Sequence, residues 1–200
     1  MFAMLPATRA IIFINIGVYL LEKSWPGAKV MIELFALWPL QTPLFHPWQL
    51  ITYAFLHDPT NFSHIFFNMF ALFMFGRSLE QYWGARRFVL YYLVCVLAAA
   101  LTQLAVQGAG GPLEETIGAS GGVFGVLLAF AWYFPRQRLF IIPIPVPIPA
   151  WLFVTLYGFL ELFLGVTGRQ QGVAHFAHLG GLFGGLLCIL YWNARHRFSS

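Results

Sequence analysis

Charged residues are scarce in this chain: Asp, Glu, Lys and Arg make up 9% of its 200 residues, whereas an average soluble protein has roughly 25%. Two cysteines are present, Cys95 and Cys188, and they lack the spacing of a metal site. Internal repeats and low-complexity tails are absent as well. Apolar side chains dominate instead, since 60% of the residues are hydrophobic and 18% are aromatic. This composition excludes a soluble domain and predicts a membrane protein.

Six long apolar segments divide the sequence. Each approaches the roughly 20 residues that a helix needs to cross a bilayer, and none alternates as the strands of a membrane barrel do. Because only backbones that satisfy their own hydrogen bonds can cross lipid, we expect one all-α domain, a polytopic bundle of six membrane helices. No small-residue cleavage site follows the first segment, which is expected to be a retained anchor. The predicted spans are 8–22, 62–79, 85–106, 118–134, 148–166 and 173–193.

The basic residues are distributed asymmetrically between the loops. Lys and Arg total 11, and eight of them fall on one side of the predicted membrane. Cytoplasmic loops are enriched in Lys and Arg, so we expect that side, with both chain ends, in the cytoplasm of a bacterial or archaeal cell with a plasma membrane. The net charge of +4 is explained by this asymmetry and does not indicate nucleic-acid binding. The eight residues are Arg9, Arg77, Arg86, Arg87, Arg136, Arg138, Arg195 and Arg197.

Two connections are unusual in composition. Residues 23–61, between the first two spans, are rich in aromatic and apolar side chains. We therefore expect this outer loop to lie in the membrane interface, partly as short amphipathic helices. On the inner side Pro143, Pro145, Pro147 and Pro149 alternate with Ile and Val, which excludes a helix and indicates an extended, polyproline-like link.

Polar residues inside the spans are few, and several share one depth. A charge at the centre of a membrane helix costs roughly 2.5 to 3.5 kcal/mol on insertion scales. An ionisable side chain at that depth therefore indicates a functional or structural role. The second, fourth and sixth spans run from outside to inside, which brings their N-terminal ends to the same leaflet. His64 and Asn68 lie four residues apart on one face of the second span. Ser120 begins the fourth span, and His178 lies within two turns of the start of the sixth.

Glycines indicate how two of these helices meet. Gly121 begins a small-xxx-small pair in the fourth span, and Gly181 and Gly185 form another that shares a face with His178. Helices that pack through such pairs approach closely. Packing of this kind would place Ser120 within hydrogen-bond reach of His178.

A serine and a histidine at this distance are sufficient for acyl transfer. His178 can act as the base that takes the proton of Ser120 and can then protonate the leaving amine. The tetrahedral oxyanion needs preorganised donors, for which the Ser120 backbone N–H, the His64 ring and the Asn68 amide are candidates. The residues thus predict acyl transfer through a serine nucleophile, a reaction that needs no cofactor.

Three segments resemble the signatures of the rhomboid intramembrane proteases: GASGGVFG at 118–125, HIFFN at 64–68 and AHLGGLFGG at 177–185. Their order and spacing extend the resemblance over nearly the whole chain. It implies a catalytic dyad of Ser120 and His178, without a third member.

The same resemblance implies roles for the residues around the dyad. His64 and Asn68 would assist the oxyanion, and Phe124 would pack on the catalytic imidazole. The turn around Glu80 resembles the family's turn after the second helix and is expected to be structural. Gln49 departs from the family, because many members have Arg after the tryptophan of the outer loop. The supporting residues of the predicted site are Gly118, Gly121, Phe124, Gly181 and Gly185.

Two more polar residues lie near His178, and their roles are open. His175 is one turn away and could form a metal site with His64, but no HExxH motif or carboxylate partner accompanies it, so we predict no metal and a packing role. Glu161, in the outer half of the fifth span, could orient His178 as the third member of a triad. The resemblance favours a polar contact near the substrate gate instead.

The favoured function is cleavage of single-pass membrane proteins, whose helices enter laterally from the lipid bilayer and unwind. The resemblance further implies small residues at the cleaved bond. An alternative is a non-catalytic rhomboid-like protein that binds membrane clients, although such relatives typically lack the serine or the histidine. A transporter for a small solute or a metal would need a path open to both faces, whereas the polar residues lie near one.

Overall fold

The apolar segments form helices in the computed structural model, which describes residues 5–25, 27–141, 144–168 and 173–198. A 3-10 turn over Tyr53–Phe55 extends the third helix, and a π-helical stretch over Leu72–Gly76 joins the fourth helix to the fifth. The prediction of an all-α polytopic membrane protein is confirmed. The helices are α1 (Pro6–Ser24), α2 (Ala28–Phe35), α3 (Gln49–Thr52), α4 (Phe62–Ala71), α5 (Arg77–Trp83), α6 (Ala85–Gly108), α7 (Ser120–Tyr133), α8 (Ala150–Thr167) and α9 (His175–Phe198).

Each of the six predicted spans coincides with a helical segment, with shifts at the ends. The second continues through the π-helical stretch and α5 to Trp83, beyond the predicted end at 79. Within the part of the chain that the structure describes, three helices are long and apolar enough to cross a membrane: α6, α8 and residues His175–Arg195 of α9. The shorter apolar helix α7 has 14 residues and measures about 21 Å, less than the roughly 30 Å of the hydrocarbon core. Helix α7 is therefore too short to cross the hydrocarbon core by itself.

The centre of the bundle is built by α6, α7 and α9. Gly180 and Gly184 of α9 face α6, where an added Cβ would meet Thr102 and Ala98. Nearly all of α7 is buried between its neighbours. By contrast, only 17% of the apolar stretch of α8 is buried, so α8 lies at the edge of the bundle.

The carboxylate of Glu80 fixes the start of α1. The backbone N–H groups of Ala7 and Thr8 donate to it at 2.8 and 2.7 Å, and the Thr8 hydroxyl donates at 2.7 Å. The first N–H groups of a helix have no partner within it, and a negative charge at that end is favourable. Glu80 is therefore an N-terminal cap supplied by α5, which agrees with the structural role expected for this turn.

Gln49 organises the outer loop between α1 and α4. Its side chain is fully buried, and its Oε1 accepts the backbone N–H groups of Trp38 and His46 at 3.3 and 3.1 Å. Its Nε2 donates to the carbonyl oxygen of Leu44 at 2.9 Å. An amide can donate and accept at once, which arginine cannot do. Short helices occur in this loop as predicted, namely α2 and α3.

The proline-rich link differs from the prediction, because it pairs with the residues before it. Strands β1 (Arg138–Ile141) and β2 (Ile144–Pro149) are antiparallel, with Arg138 opposite Pro149 and Leu139 opposite Ile148. Successive N–H groups of a strand point to opposite edges. Prolines at every second position therefore remove donors from one edge only, and the other edge remains able to pair.

Candidate active site

Backbone hydrogen bonds to the outer loop hold the segment that leads to Ser120. Leu37 and Thr116 exchange two N–H···O bonds of 3.0 Å, and the N–H of Gly118 donates to the carbonyl oxygen of Tyr53 at 3.0 Å. Gly118 has a φ of 120°, which favours a residue without Cβ. This turn makes Ser120 the first residue of α7, where backbone N–H groups have no acceptor within the helix.

Ser120 and His178 meet between the N-terminal ends of α7 and α9. The hydroxyl oxygen of Ser120 lies 2.7 Å from Nε2 of His178, and the His178 side chain is buried. The two residues are 58 positions apart in the chain, so the contact depends on the packing of the two helices. At this distance the imidazole can take the serine proton.

Glycines allow the close approach of α7 and α9, as the sequence predicts, but not all of them act between these two helices. A Cβ added at Gly181 would overlap the carbonyl oxygen of Gly121. Gly185 instead faces Tyr91 and Cys95 of α6, where an added Cβ would overlap the tyrosine hydroxyl. The pair Gly121 and Gly181 therefore sets the distance between α7 and α9, and Gly185 sets that between α6 and α9.

An aromatic stack orients the imidazole of His178. The ring of Phe124, one turn after Ser120, lies parallel to it, with centroids 4.3 Å apart and an angle of 9° between the planes. Tyr157 of α8 also packs against the phenyl group, in a tilted geometry with 4.8 Å between centroids. The stack limits rotation of the imidazole and keeps Nε2 directed at Ser120.

Glu161 contacts two histidines at once. Its Oε2 lies 2.9 Å from Nδ1 of His178 and 2.6 Å from Nδ1 of His175, and all three side chains are buried. The sequence left open whether Glu161 orients His178 or makes another polar contact, and it did not predict that His175 shares the carboxylate. Ser120, His178 and Glu161 thus form a continuous hydrogen-bonded row.

Among the described side chains, Glu161, His175 and His178 form a group whose ligand atoms lie close enough together for a metal ion, within 4.8 Å of one another. The sequence argument against a metal relied on the lack of a carboxylate partner, and Glu161 is such a partner. The separations of 2.6 and 2.9 Å are nevertheless hydrogen-bond lengths. An ion about 2 Å from each of its ligands would push those atoms further apart. The geometry is that of a hydrogen-bonded cluster.

His64 and Asn68 both lie on α4. A Cβ at Gly118 would lie 2.7 Å from Nε2 of His64 and 3.8 Å from Oγ of Ser120, so the His64 ring borders the serine turn. The Asn68 amide is buried and donates to the carbonyl oxygen of His64 in its own helix at 2.8 Å. This bond uses one of the two N–H groups of the amide.

His57 is a neighbour of the site that the sequence did not indicate. It lies in a loop but is fully buried, and its ring centroid is 5.0 Å from that of His64. Its backbone N–H donates to the Glu22 carboxylate at 3.0 Å. Burial, together with the neighbouring His64, lowers the pKa of His57 to about 3. The imidazole is therefore neutral at physiological pH, and nothing in the spacing of the sequence predicts its burial.

The match to known proteins covers the whole of this site. A family model described as the Rhomboid domain matches residues 44–195. Rhomboid protein 1, mitochondrial, of Saccharomyces cerevisiae is 35% identical over 143 residues, which cover 69% of this chain and 40% of that protein. Rhomboid protease GluP of Bacillus subtilis is 31% identical over 140 residues, which cover 69% of this chain and 24% of that protein.

The presenilin-associated rhomboid-like protein, mitochondrial, of Bos taurus aligns with a longer part of the chain. The two are 28% identical over 188 residues, which cover 90% of this chain and 47% of the bovine protein. The chain thus spans less than half the length of these three relatives. The similarity concerns the membrane domain that holds the site.

Proposed function

The chain belongs to the rhomboid family, and on that premise we propose that it is an intramembrane serine endopeptidase that cleaves transmembrane segments of membrane proteins. The hydrogen bond of 2.7 Å between Ser120 and His178 carries the proposal. Serine and histidine are a sufficient nucleophile and base for acyl transfer. The names of relatives support it in part, since two Bacillus subtilis proteins among them are called rhomboid protease and putative rhomboid protease.

The reaction proceeds in two halves. The Ser120 proton passes to Nε2 of His178 as Oγ bonds to the carbonyl carbon of the substrate peptide. The C–N bond then breaks, and the departing amine takes that proton, which leaves an acyl ester on Ser120. A water molecule next attacks the ester and gives a proton to His178, which returns it to the serine oxygen as the acid product leaves.

The negative oxygen of each tetrahedral intermediate is stabilised by donors around the serine turn. The backbone N–H of Ser120 at the start of α7, the ring of His64 and the amide of Asn68 surround this position in the proposal. Each lies on a helix or at a helix end, so it is oriented before the substrate arrives. Loss of one such donor typically lowers the rate by about 100- to 1,000-fold.

The substrates we propose are single-pass membrane proteins. Helix α8 forms one wall of the site through Tyr157 and Glu161, and it is the least buried of the three long apolar helices. A substrate helix can approach α8 from the bilayer and unwind there, so that a peptide bond reaches Ser120. No cofactor takes part in this reaction.

The orientation that we propose has the arginine-rich connections in the cytoplasm and the dyad toward the outer leaflet of a plasma membrane. Among the relatives, names with "mitochondrial" occur beside those from Bacillus subtilis. The orientation can be tested with the single variants Ser24→Cys and Gln137→Cys, which place exposed thiols at opposite ends of the bundle. A membrane-impermeant maleimide added to intact cells should label the Ser24→Cys variant only. Labelling of the Gln137→Cys variant alone would reverse the orientation.

The proposed activity is tested by labelling with a fluorophosphonate in detergent. The native chain should react, whereas Ser120→Ala and His178→Ala should not. Ser24→Ala is the matched control, because Ser24 is exposed at the C-terminal end of α1 and its hydroxyl donates to the Leu20 carbonyl oxygen of the same helix. Equal labelling of all four proteins would contradict the proposal and favour a non-catalytic protein that binds membrane clients.

A further inference from the structure

One carboxylate oxygen, Oε2 of Glu161, connects α8 to both histidines at the start of α9. It lies 2.6 Å from Nδ1 of His175 and 2.9 Å from Nδ1 of His178. The side chains of Glu161 and His175 are 5% exposed, so bulk water does not compete for these bonds. A carboxylate with two buried hydrogen bonds is far more fixed than one that faces solvent.

The protons in this cluster follow from the chemistry of the groups. An ionised carboxylate can only accept hydrogen bonds, so each Nδ1 that faces it carries the hydrogen. A neutral imidazole has one ring hydrogen, which leaves Nε2 of His178 with a free lone pair. That nitrogen is the one 2.7 Å from the Ser120 hydroxyl. The tautomer that Glu161 selects is therefore the one that can remove the serine proton.

We propose that Glu161 is a positioning residue, which holds His178 in the base-competent tautomer and stabilises the imidazolium that forms during the reaction. This inference rests on the proposed function and extends it, since the family resemblance implies a dyad alone. Glu161 does not touch the reacting atoms and acts through His178. The role is that of the third member of a serine–histidine–carboxylate row.

His175 completes this arrangement by fixing the carboxylate from a second direction. The planes of its ring and of the His178 ring are at 89°, with centroids 6.3 Å apart, so the two N–H groups approach Oε2 from different sides. An ionised carboxylate in an apolar environment is costly unless hydrogen bonds compensate it. Two donors reduce that cost and allow Glu161 to remain ionised beside an otherwise apolar helix.

The kinetic test compares the native chain with Glu161→Gln and with Thr155→Val on the same helix. Thr155 is exposed, and its hydroxyl donates to the Trp151 carbonyl oxygen of its own helix, so its replacement controls for changes in α8. We expect Glu161→Gln to lower kcat for a transmembrane substrate by about tenfold or more, because a hydrogen bond to a charged acceptor is about twice as strong as one to a neutral acceptor. KM should change less than about threefold, since Glu161 is buried and contacts the His178 ring at Nδ1, the nitrogen that does not face Ser120. Thr155→Val should match the native chain.

A spectroscopic test measures the tautomer of His178 directly and does not require enzymatic activity. The protein is labelled with nitrogen-15 at its histidine rings. The signals of His178 are assigned as those that are missing from the spectrum of the His178→Gln variant. The native chain should show a protonated Nδ1 and an unprotonated Nε2 for this residue. Glu161→Gln should show a mixture of tautomers, because an amide can present either a donor or an acceptor.

The outcomes separate this inference from the proposed function. A native chain that reacts no better than Ser120→Ala defeats the proposed activity, while the nitrogen spectra still decide whether Glu161 selects the tautomer. A native chain that is active, beside a Glu161→Gln variant with unchanged kcat and an unchanged His178 spectrum, overturns the inference alone. If the variant does not fold, an unprotonated Nδ1 of His178 in the native chain overturns it equally.

Discussion

A Cβ atom at Gly181 of α9 would overlap the carbonyl oxygen of Gly121 of α7, so the two helices touch backbone to backbone. Gly121 directly follows Ser120, and Gly181 lies one turn after His178. Neither side of the contact contains a flexible side chain that could move away. The distance between the serine and the histidine therefore depends on the absence of one methyl group.

The first prediction follows from this contact. Gly181→Ala should separate α7 from α9, lengthen the distance from Ser120 to His178 and lower the rate of fluorophosphonate labelling by about 100-fold, the cost of a displacement near 1 Å at a reacting centre. Overpacking of this kind should also destabilise the fold by about 1 to 3 kcal/mol. Labelling rate and thermal unfolding in detergent measure the two effects.

Gly17→Ala is the matched control for this substitution. Gly17 is also within a helix, α1, but an added Cβ there would have no atom within 4 Å. The same change of residue should leave labelling unaltered and raise helix stability slightly, because alanine favours the helix over glycine. A Gly181→Ala variant that behaves like Gly17→Ala would show that α7 and α9 can separate without loss of geometry.

The sequence predicts the helices and the meeting of Ser120 with His178 for a physical reason. Apolar runs of the length of a bilayer can only be helices, and alternate helices point the same way. Polar residues near their N-terminal ends must then share one leaflet. The glycine spacing adds that α7 and α9 approach closely. These arguments depend on length, direction and residue size, all of which a single sequence contains.

The orientation of Glu161 could not be predicted in the same way. Helix α8 is apolar on nearly all sides, so no polar face indicates how it is rotated about its axis. Contact with His178 and His175 depends on that rotation and on how α8 and α9 pack together. The burial of His57 is similar, since it results from the fold of the outer loop around Gln49. Pairing of β2 with β1 likewise depends on a partner strand that has no proline pattern of its own.

The second prediction concerns the cap at the start of α1. Glu80→Gln should lower the free energy of unfolding by about 3 kcal/mol, because Glu80 accepts three hydrogen bonds and an amide nitrogen would oppose some of these donors. The thermal unfolding midpoint in detergent measures the loss. Glu115→Gln removes an equal charge from an exposed position and should leave the midpoint nearly unchanged. Equal midpoints for the two variants would show that the cap is dispensable.

The third prediction is a pH dependence caused by His57. Burial lowers the pKa of this imidazole from 6.5 to about 3. Between these two values the unfolded imidazole binds a proton that the folded one does not. Stability is therefore complete above pH 6.5 and falls as the pH decreases, by up to about 1.4 kcal/mol per pH unit. Relative to a variant that lacks this imidazole, the native chain should lose stability as the pH is lowered from 7 to about 4.5.

His57→Phe removes the titrating group and keeps a ring of similar size. Its unfolding midpoint should decrease less steeply than that of the native chain over the same pH range. His46→Phe is the control, because His46 stacks on Trp48 in the outer loop at a less buried position. It should retain the native slope. A native slope in His57→Phe would mean that other groups cause the pH dependence.

The last prediction separates strain from contact at the turn before Ser120. Gly118 and Gly110 both have positive φ values, of 120° and 96°, which disfavour any residue with a Cβ. A Cβ at Gly118 would lie 2.7 Å from Nε2 of His64, whereas one at Gly110 would have no atom within 4 Å.

Gly110→Ala should therefore cost stability alone, by about 1 to 2 kcal/mol. Gly118→Ala should displace His64 as well and lower the labelling rate by about 100-fold or more, if the His64 ring is an oxyanion donor. Labelling rates normalised to the amount of folded protein compare the two, and equal rates would remove His64 from the proposed oxyanion site.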